Sequence, residues 1–155
     1  MLKLPTNVRY GIRMIITLAK ANRRMNTNEL AKEMDVSPLY LRQVAIPLEK
    51  NGIIKSAKGA KGGYSLRVDP ATTDLYTIIK AMNEDFSLLS CVDCSDACSR
   101  SNTCISRDLW IDLSRTLKTT LQAMTLQRLI EEKAGRKIGK LVNNHPIKTS
   151  DVQNA

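Results

Sequence analysis

A mainly α-helical chain with one small β-hairpin is predicted by three observations. Apolar residues recur at helical spacing through the first fifty residues and again after Cys104. Cap-forming residues mark the starts of the segments between them. Two short strand-like runs flank a glycine-rich turn near residue 60.

The first helix is expected from Thr6 to Ala21, with Thr6 as its cap and Val8, Ile12, Ile15, Ile16, Leu18 and Ala19 as an apolar stripe. A second, short helix begins at Asn26, whose side chain can cap it while Glu29 reaches back as in a capping box. Leu30, Ala31 and Met34 face inward, and the helix ends near Asp35. The third starts at Ser37-Pro38, a preferred cap followed by the residue favoured at the first helical position. Leu41, Val44 and Leu48 point to the core, and Tyr40, Arg42 and Gln43 lie on the other face. Pro47 removes one helical hydrogen bond, so a kink is expected there, and Asn51-Gly52 closes the helix.

Ile53–Ser56 and Tyr64–Arg67 read as paired strands around Ala57-Lys58-Gly59-Ala60-Lys61-Gly62-Gly63. Two short helices with a tight turn between them, followed by a basic hairpin, predict a winged helix-turn-helix. The charge distribution agrees. Residues 1–68 hold 13 Lys and Arg against 4 Asp and Glu, so the whole net charge of +9 sits there. Residues 69–155 hold 11 of each sign. Such asymmetry is the footprint of a polyanion-binding domain joined to a neutral one. Duplex DNA is the expected partner, with the third helix in the major groove and Ser37 at its start. Tyr40, Arg42 and Gln43 are candidate base-edge contacts, since Arg suits guanine and Gln suits adenine. Lys3, Arg9, Arg13, Lys55, Lys58 and Lys61 are candidate phosphate contacts.

After Asp69-Pro70, Asp74 can cap a helix from Leu75 to Met82 that buries Ile78, Ile79 and Met82. All four cysteines then fall in a Ser-, Asp- and Asn-rich stretch, expected to be a loop: Cys91, Cys94, Cys98 and Cys104. No run approaches the length of a bilayer span and no signal-peptide core opens the chain, so a cytoplasmic location is expected, where disulfides are rare. Clustered thiolates then point to a soft metal or an iron–sulfur cluster. The spacing Cys-x2-Cys-x3-Cys-x5-Cys fits neither the paired units of structural zinc nor the bacterial ferredoxin run. An iron–sulfur cluster, zinc and unligated redox thiols remain open on spacing alone.

Ile105–Ala123 reads as one long helix, with Trp110, Leu113, Leu117, Leu121 and Met124 at spacings of three and four. A small winged-helix body does not cover such a stripe, which makes the same helix of a second subunit its expected partner and predicts a homodimer. Thr125 can cap a further helix from Leu126 to about Lys133, and residues from about 141 onward, which hold the single His145, read as a disordered tail. The expected organisation is a winged helix-turn-helix over residues 1–70, a connecting helix over 71–90 and a cysteine loop over 91–104. Dimerisation and following helices occupy 105–140, and the tail 141–155. An enzyme is not expected: the folded part carries no His, no nucleophile elbow and no nucleotide loop, and no small-molecule substrate is evident.

Over residues 2–133 the chain resembles the bacterial IscR/NsrR-type winged-helix regulators. The matching stretches are RYGIRMIITLA, NELAKEMDVSPLYLRQV, LEKNGIIKSAKGAKGGYSL and the cysteine segment with CISRDLW and MTLQRLI. The resemblance implies a homodimer with crossing C-terminal helices, and transcriptional control, usually repression, that changes with the state of an iron–sulfur cluster. It implies Cys91, Cys98 and Cys104 as three cluster ligands. IscR-like members complete the cluster with a histidine where this chain has Arg107, and NsrR-like members with an acidic residue where it has Arg9. Cys94 is an extra thiolate able to be the fourth ligand, an exogenous ligand being the alternative. Cluster type stays open between [2Fe–2S] and [4Fe–4S].

Overall fold

A computed structural model describes residues 4–59, 61–82, 88–101 and 103–131. Three helices open the chain: α1 (Thr6–Ala21), α2 (Thr27–Met34) and α3 (Pro38–Lys50). A hairpin of β1 (Ile54–Ala57) and β2 (Gly63–Leu66) follows, then α4 (Leu75–Met82), the short α5 (Ser90–Asp93) and a 3-10 turn at Ser95–Ala97. The long α6 (Ile105–Gln122) and the short α7 (Leu126–Glu131) end the described chain.

Local chemistry explains the boundaries. The Asn26 side chain accepts from the Glu29 N–H at 2.8 Å, and the Ser37 hydroxyl accepts from the Tyr40 N–H at 3.1 Å. Asp74 does the same for Thr77 at 2.7 Å. Two expectations are corrected. Pro5, not Thr6, is the cap residue of α1, and no side-chain cap bond forms there. The Glu29 carboxylate is taken by Arg23 in an exposed ion pair that raises the Arg23 pKa and lowers that of Glu29. Helix α3 runs on through Pro47 to Lys50. Its end is held by the Asn51 amide, which donates to the carbonyls of Pro47 (2.9 Å) and Ala81 (3.0 Å) and so ties α3 to α4.

One core forms where these helices meet. Val8, Met14, Ile15 and Leu18 of α1 pack with Leu30 and Met34 of α2, and with Leu41, Val44 and Leu48 of α3. Ile78, Ile79 and Met82 of α4 and Leu126 of α7 close it. Burying each Leu or Ile side chain contributes about 1.5–3 kcal/mol.

The hairpin joins this body at its base. β1 and β2 pair antiparallel, Ile54 opposite Leu66 and Ala57 opposite Gly63. Tyr64 also exchanges backbone hydrogen bonds with Met25 (2.8 and 2.9 Å), so the residue before α2 continues the sheet. Gly63 has φ +135°, and a Cβ there would lie 2.1 Å from the Met25 carbonyl oxygen. Only glycine lets the two backbones approach this closely.

Helix α6 is the longest, and none of its residues is buried. Its C-terminal end is clipped to the start of α4, where Leu75 N–H donates to Met124 (2.9 Å) and Leu126 N–H to Thr73 (2.8 Å). The expected tail and the far end of the last helix lie outside the described residues.

Candidate functional site

Two regions carry the charged and reactive side chains. The first is the outer face of α3 with the hairpin. Arg42 and Gln43 are exposed on α3, and Lys55, Lys58 and Lys61 are exposed on the hairpin. Ser37 spends its hydroxyl oxygen on the helix cap. Tyr40 stands apart from Arg42 and Gln43: it is half-buried, its ring edge-on to Tyr10 with centroids 5.3 Å apart. The Arg13 guanidinium sits 5.5 Å above that same Tyr10 ring. Arg13 on α1 is thereby placed beside the start of α3. Arg9 is exposed and donates to the Thr6 hydroxyl at 3.2 Å, and Lys3 lies outside the described residues.

The hairpin is held to α3 by Glu49. Its carboxylate accepts from the Ser56 hydroxyl and, at 3.3 Å, from the Ser56 N–H. The first strand of the hairpin is thereby tied to the C-terminal half of α3. Gly62 makes the turn tight, its N–H donating to Gly59 at 2.8 Å. A Cβ at Gly62 would lie 2.5 Å from the Ala57 carbonyl oxygen.

The second region is the cysteine segment. It is not a plain loop: Cys91 lies in α5, Cys94 and Cys98 flank the 3-10 turn, and Cys104 is the cap residue of α6. All four thiols are free; Cys94 and Cys98 are exposed, Cys91 and Cys104 half-buried. Among the described residues, no three Cys, His, Asp or Glu side chains converge into a group able to hold a metal ion. The Ser106 hydroxyl, 3.3 Å from the Cys104 sulfur, holds the thiol below its ordinary pKa. Loss of solvation opposes this, and the backbone N–H groups of Ser106 and Arg107 and the Arg107 charge add to the lowering. Arg107 also donates its Nε–H to the Cys91 carbonyl at 3.1 Å.

The predicted dimer residues divide between two faces of α6. Trp110, Leu117 and Leu121 are half-buried, and Leu121 packs on the core. Leu113 is exposed, together with Ile105 and Leu109, which the stripe reading missed. A step of four residues from Ile105 is the signal that would have found them.

A helix-turn-helix with a basic hairpin wing, its recognition helix exposed, defines a winged-helix DNA-binding regulator. The chain belongs to the Rrf2 family, described as "Iron-dependent Transcriptional regulator", whose profile matches residues 4–132. It is 25% identical to the HTH-type transcriptional regulator IscR of Yersinia pseudotuberculosis over 152 residues, covering 97% of this chain and 92% of that one. Among solved structures it resembles CymR, the global cysteine regulator of B. subtilis, at 30% identity and TM-score 0.68, covering 84% of this chain and 98% of that one. The oxidized form of Staphylococcus aureus CymR is similar at 30% identity and TM-score 0.67, covering 86% and 100%. These relatives are regulators, not enzymes. No described helix is long and apolar enough to cross a membrane.

Proposed function

We propose that the protein is a cytoplasmic homodimer that binds operator DNA and represses transcription, with its affinity set by an iron–sulfur cluster on residues 91–104. The observation that carries the cluster reading is the confinement of every cysteine of the chain to that segment, with Cys104 opening α6 and Cys91 tied to α6 by Arg107. The donor set fits: four thiolates are what such clusters take. Cys91, Cys98 and Cys104 would hold it, with Cys94 as fourth ligand, because Arg107 and Arg9 are cationic and cannot bind iron. When bound, the cluster supplies strong sulfur–iron bonds that draw the segment together. Among the described residues these thiols form no metal-holding group, so ligation would draw them closer together. That segment joins the body that carries α3 to the helix proposed as the dimer axis. A change there shifts operator affinity if the two arrangements place the recognition helices differently.

In the DNA complex, α3 enters the major groove with Arg42 and Gln43 on base edges. Lys3, Arg9, Arg13, Lys55, Lys58 and Lys61 lie along the phosphates. Tyr40 positions α3 through Tyr10. Ile105, Leu109 and Leu113 join Trp110, Leu117 and Leu121 in the dimer contact.

A second reading is a metal-free thiol switch. It is favoured by the lowered pKa of Cys104 and by the likeness to CymR, one form of which is described as oxidized. Strictly anaerobic purification with visible absorption and iron, sulfide and zinc analysis separates the readings. Coloured protein with matched iron and sulfide is expected. Colourless protein overturns the cluster: zinc in it points to a structural metal, no metal to the thiol switch. Cys94→Ala then tests the fourth ligand, because an unchanged spectrum would assign that position to an exogenous group.

A further inference from the structure

The outer face of α3 is not purely polar. Leu39 is 66% exposed and Ile46 64% exposed, the two most exposed large apolar side chains described before α6. With Arg42 and Gln43 they occupy positions i, i+3, i+4 and i+7, which is one face of a helix. Leaving a Leu and an Ile in water at the centre of a well-packed domain gains nothing for its fold. Both are removed from water if α3 docks against something apolar. The seven residue steps from one to the other rise about 10 Å, close to the roughly 12 Å width of a DNA major groove. The surroundings identify the occupant. The face carries Arg42, the turn of the hairpin that follows α3 carries exposed Lys58 and Lys61, and the excess charge of the chain lies in this half. A strongly basic rim around an apolar stripe complements a polyanion that also offers apolar groups. In the major groove the one apolar group on base edges is the C5-methyl of thymine.

The geometry points to Leu39 and Ile46 as thymine-methyl readers that flank the Arg42–Gln43 pair, so that each half-site carries thymines on both sides of the bases those two contact. This rests on the reading of α3 as the base-reading helix. A partner protein on the same stripe has no need of the surrounding lysines.

The test uses the duplex recovered by selection from a randomised library with the purified dimer. Thymines are replaced one at a time by deoxyuridine, which removes only the methyl group. Wild-type affinity is expected to fall about three- to four-fold at the one or two positions per half-site that meet Leu39 or Ile46, the worth of one buried methyl. Leu39→Ala and Ile46→Ala, both exposed and so harmless to the core, are expected to bind the thymine duplex more weakly. Each is also expected to lose the distinction between thymine and uracil at its own position. Equal affinity for thymine and uracil duplexes at every position overturns the inference while leaving DNA binding intact. Variants that change oligomeric state but not DNA affinity assign the stripe to a protein contact and overturn it too. Selection that yields no preferred duplex overturns the base-reading role of α3, and the inference with it.

Discussion

Arg107 donates its Nε–H to the carbonyl oxygen of Cys91 at 3.1 Å, across sixteen residues of chain. The resemblance to the IscR-like members would place a cluster ligand at this position; in this chain it carries a cation that fastens α5 to the first turn of α6. A charged donor to a half-buried carbonyl contributes about 1.5–3 kcal/mol. Arg107→Ala is expected to raise amide hydrogen exchange at residues 90–98 of the metal-free protein by one to two orders of magnitude, with exchange in α1 and α3 unchanged. Unchanged exchange in both regions would show that the bond does not hold the segment.

Leu109 and Leu113 are exposed on α6 at 63% and 41%, so neither supports the fold of the single chain. Leu109→Asp and Leu113→Asp are expected to keep the helical content of the wild-type chain in circular dichroism. Each should give monomers in sedimentation, because the introduced charge would be buried at the proposed dimer contact without a partner. A stable dimer in both variants would place the interface elsewhere.

Gly63 holds φ +135° with the Met25 carbonyl in the space a Cβ would take. Gly63→Ala is expected to destabilise the protein by about 2–4 kcal/mol in urea unfolding, from backbone strain and loss of the Met25–Tyr64 pairing. Wing and α2 should loosen together, which backbone amide exchange at Met25 reads directly.

Arg42 and Lys61 separate base reading from phosphate contact. Arg42→Ala is expected to cost about 1–3 kcal/mol on the selected duplex and to relax preference at one base pair. Lys61→Ala should weaken all duplexes alike and flatten the salt dependence. That dependence, for about 6–10 phosphate contacts per dimer, amounts to about 10³–10⁵ in affinity between 50 and 200 mM salt. Equal losses on selected and random duplexes for Arg42→Ala would make Arg42 a phosphate contact.

The elements were legible where their signals are local. Asn26, Ser37 and Asp74 cap their helices as their spacing predicts, since a cap needs only residues within one turn. Thr6 failed because Pro5, with its backbone at φ −54° and ψ 148°, already occupies the cap position. Tyr40 was assigned by periodicity to the free face of α3, but its packing depends on Tyr10, thirty residues away on another helix. Leu39 and Ile46 escaped notice because apolar residues were assigned to the core; the signal was that they share the face of Arg42 and Gln43 rather than that of Leu41 and Val44. The short turns at α5 and Ser95–Ala97 carry no periodicity to read at all, being three or four residues long.

In the proposed function the state of residues 91–104 sets operator affinity. The most direct measurement is titration of one operator duplex, at fixed salt and without oxygen, by the cluster-loaded dimer and by the same dimer after chelation. The two affinities are expected to differ by about 5- to 150-fold, a coupling of about 1–3 kcal/mol. Cys91→Ala, Cys98→Ala and Cys104→Ala are each expected to bind as the cluster-free form does. Identical affinity for the loaded and cluster-free dimers would contradict it.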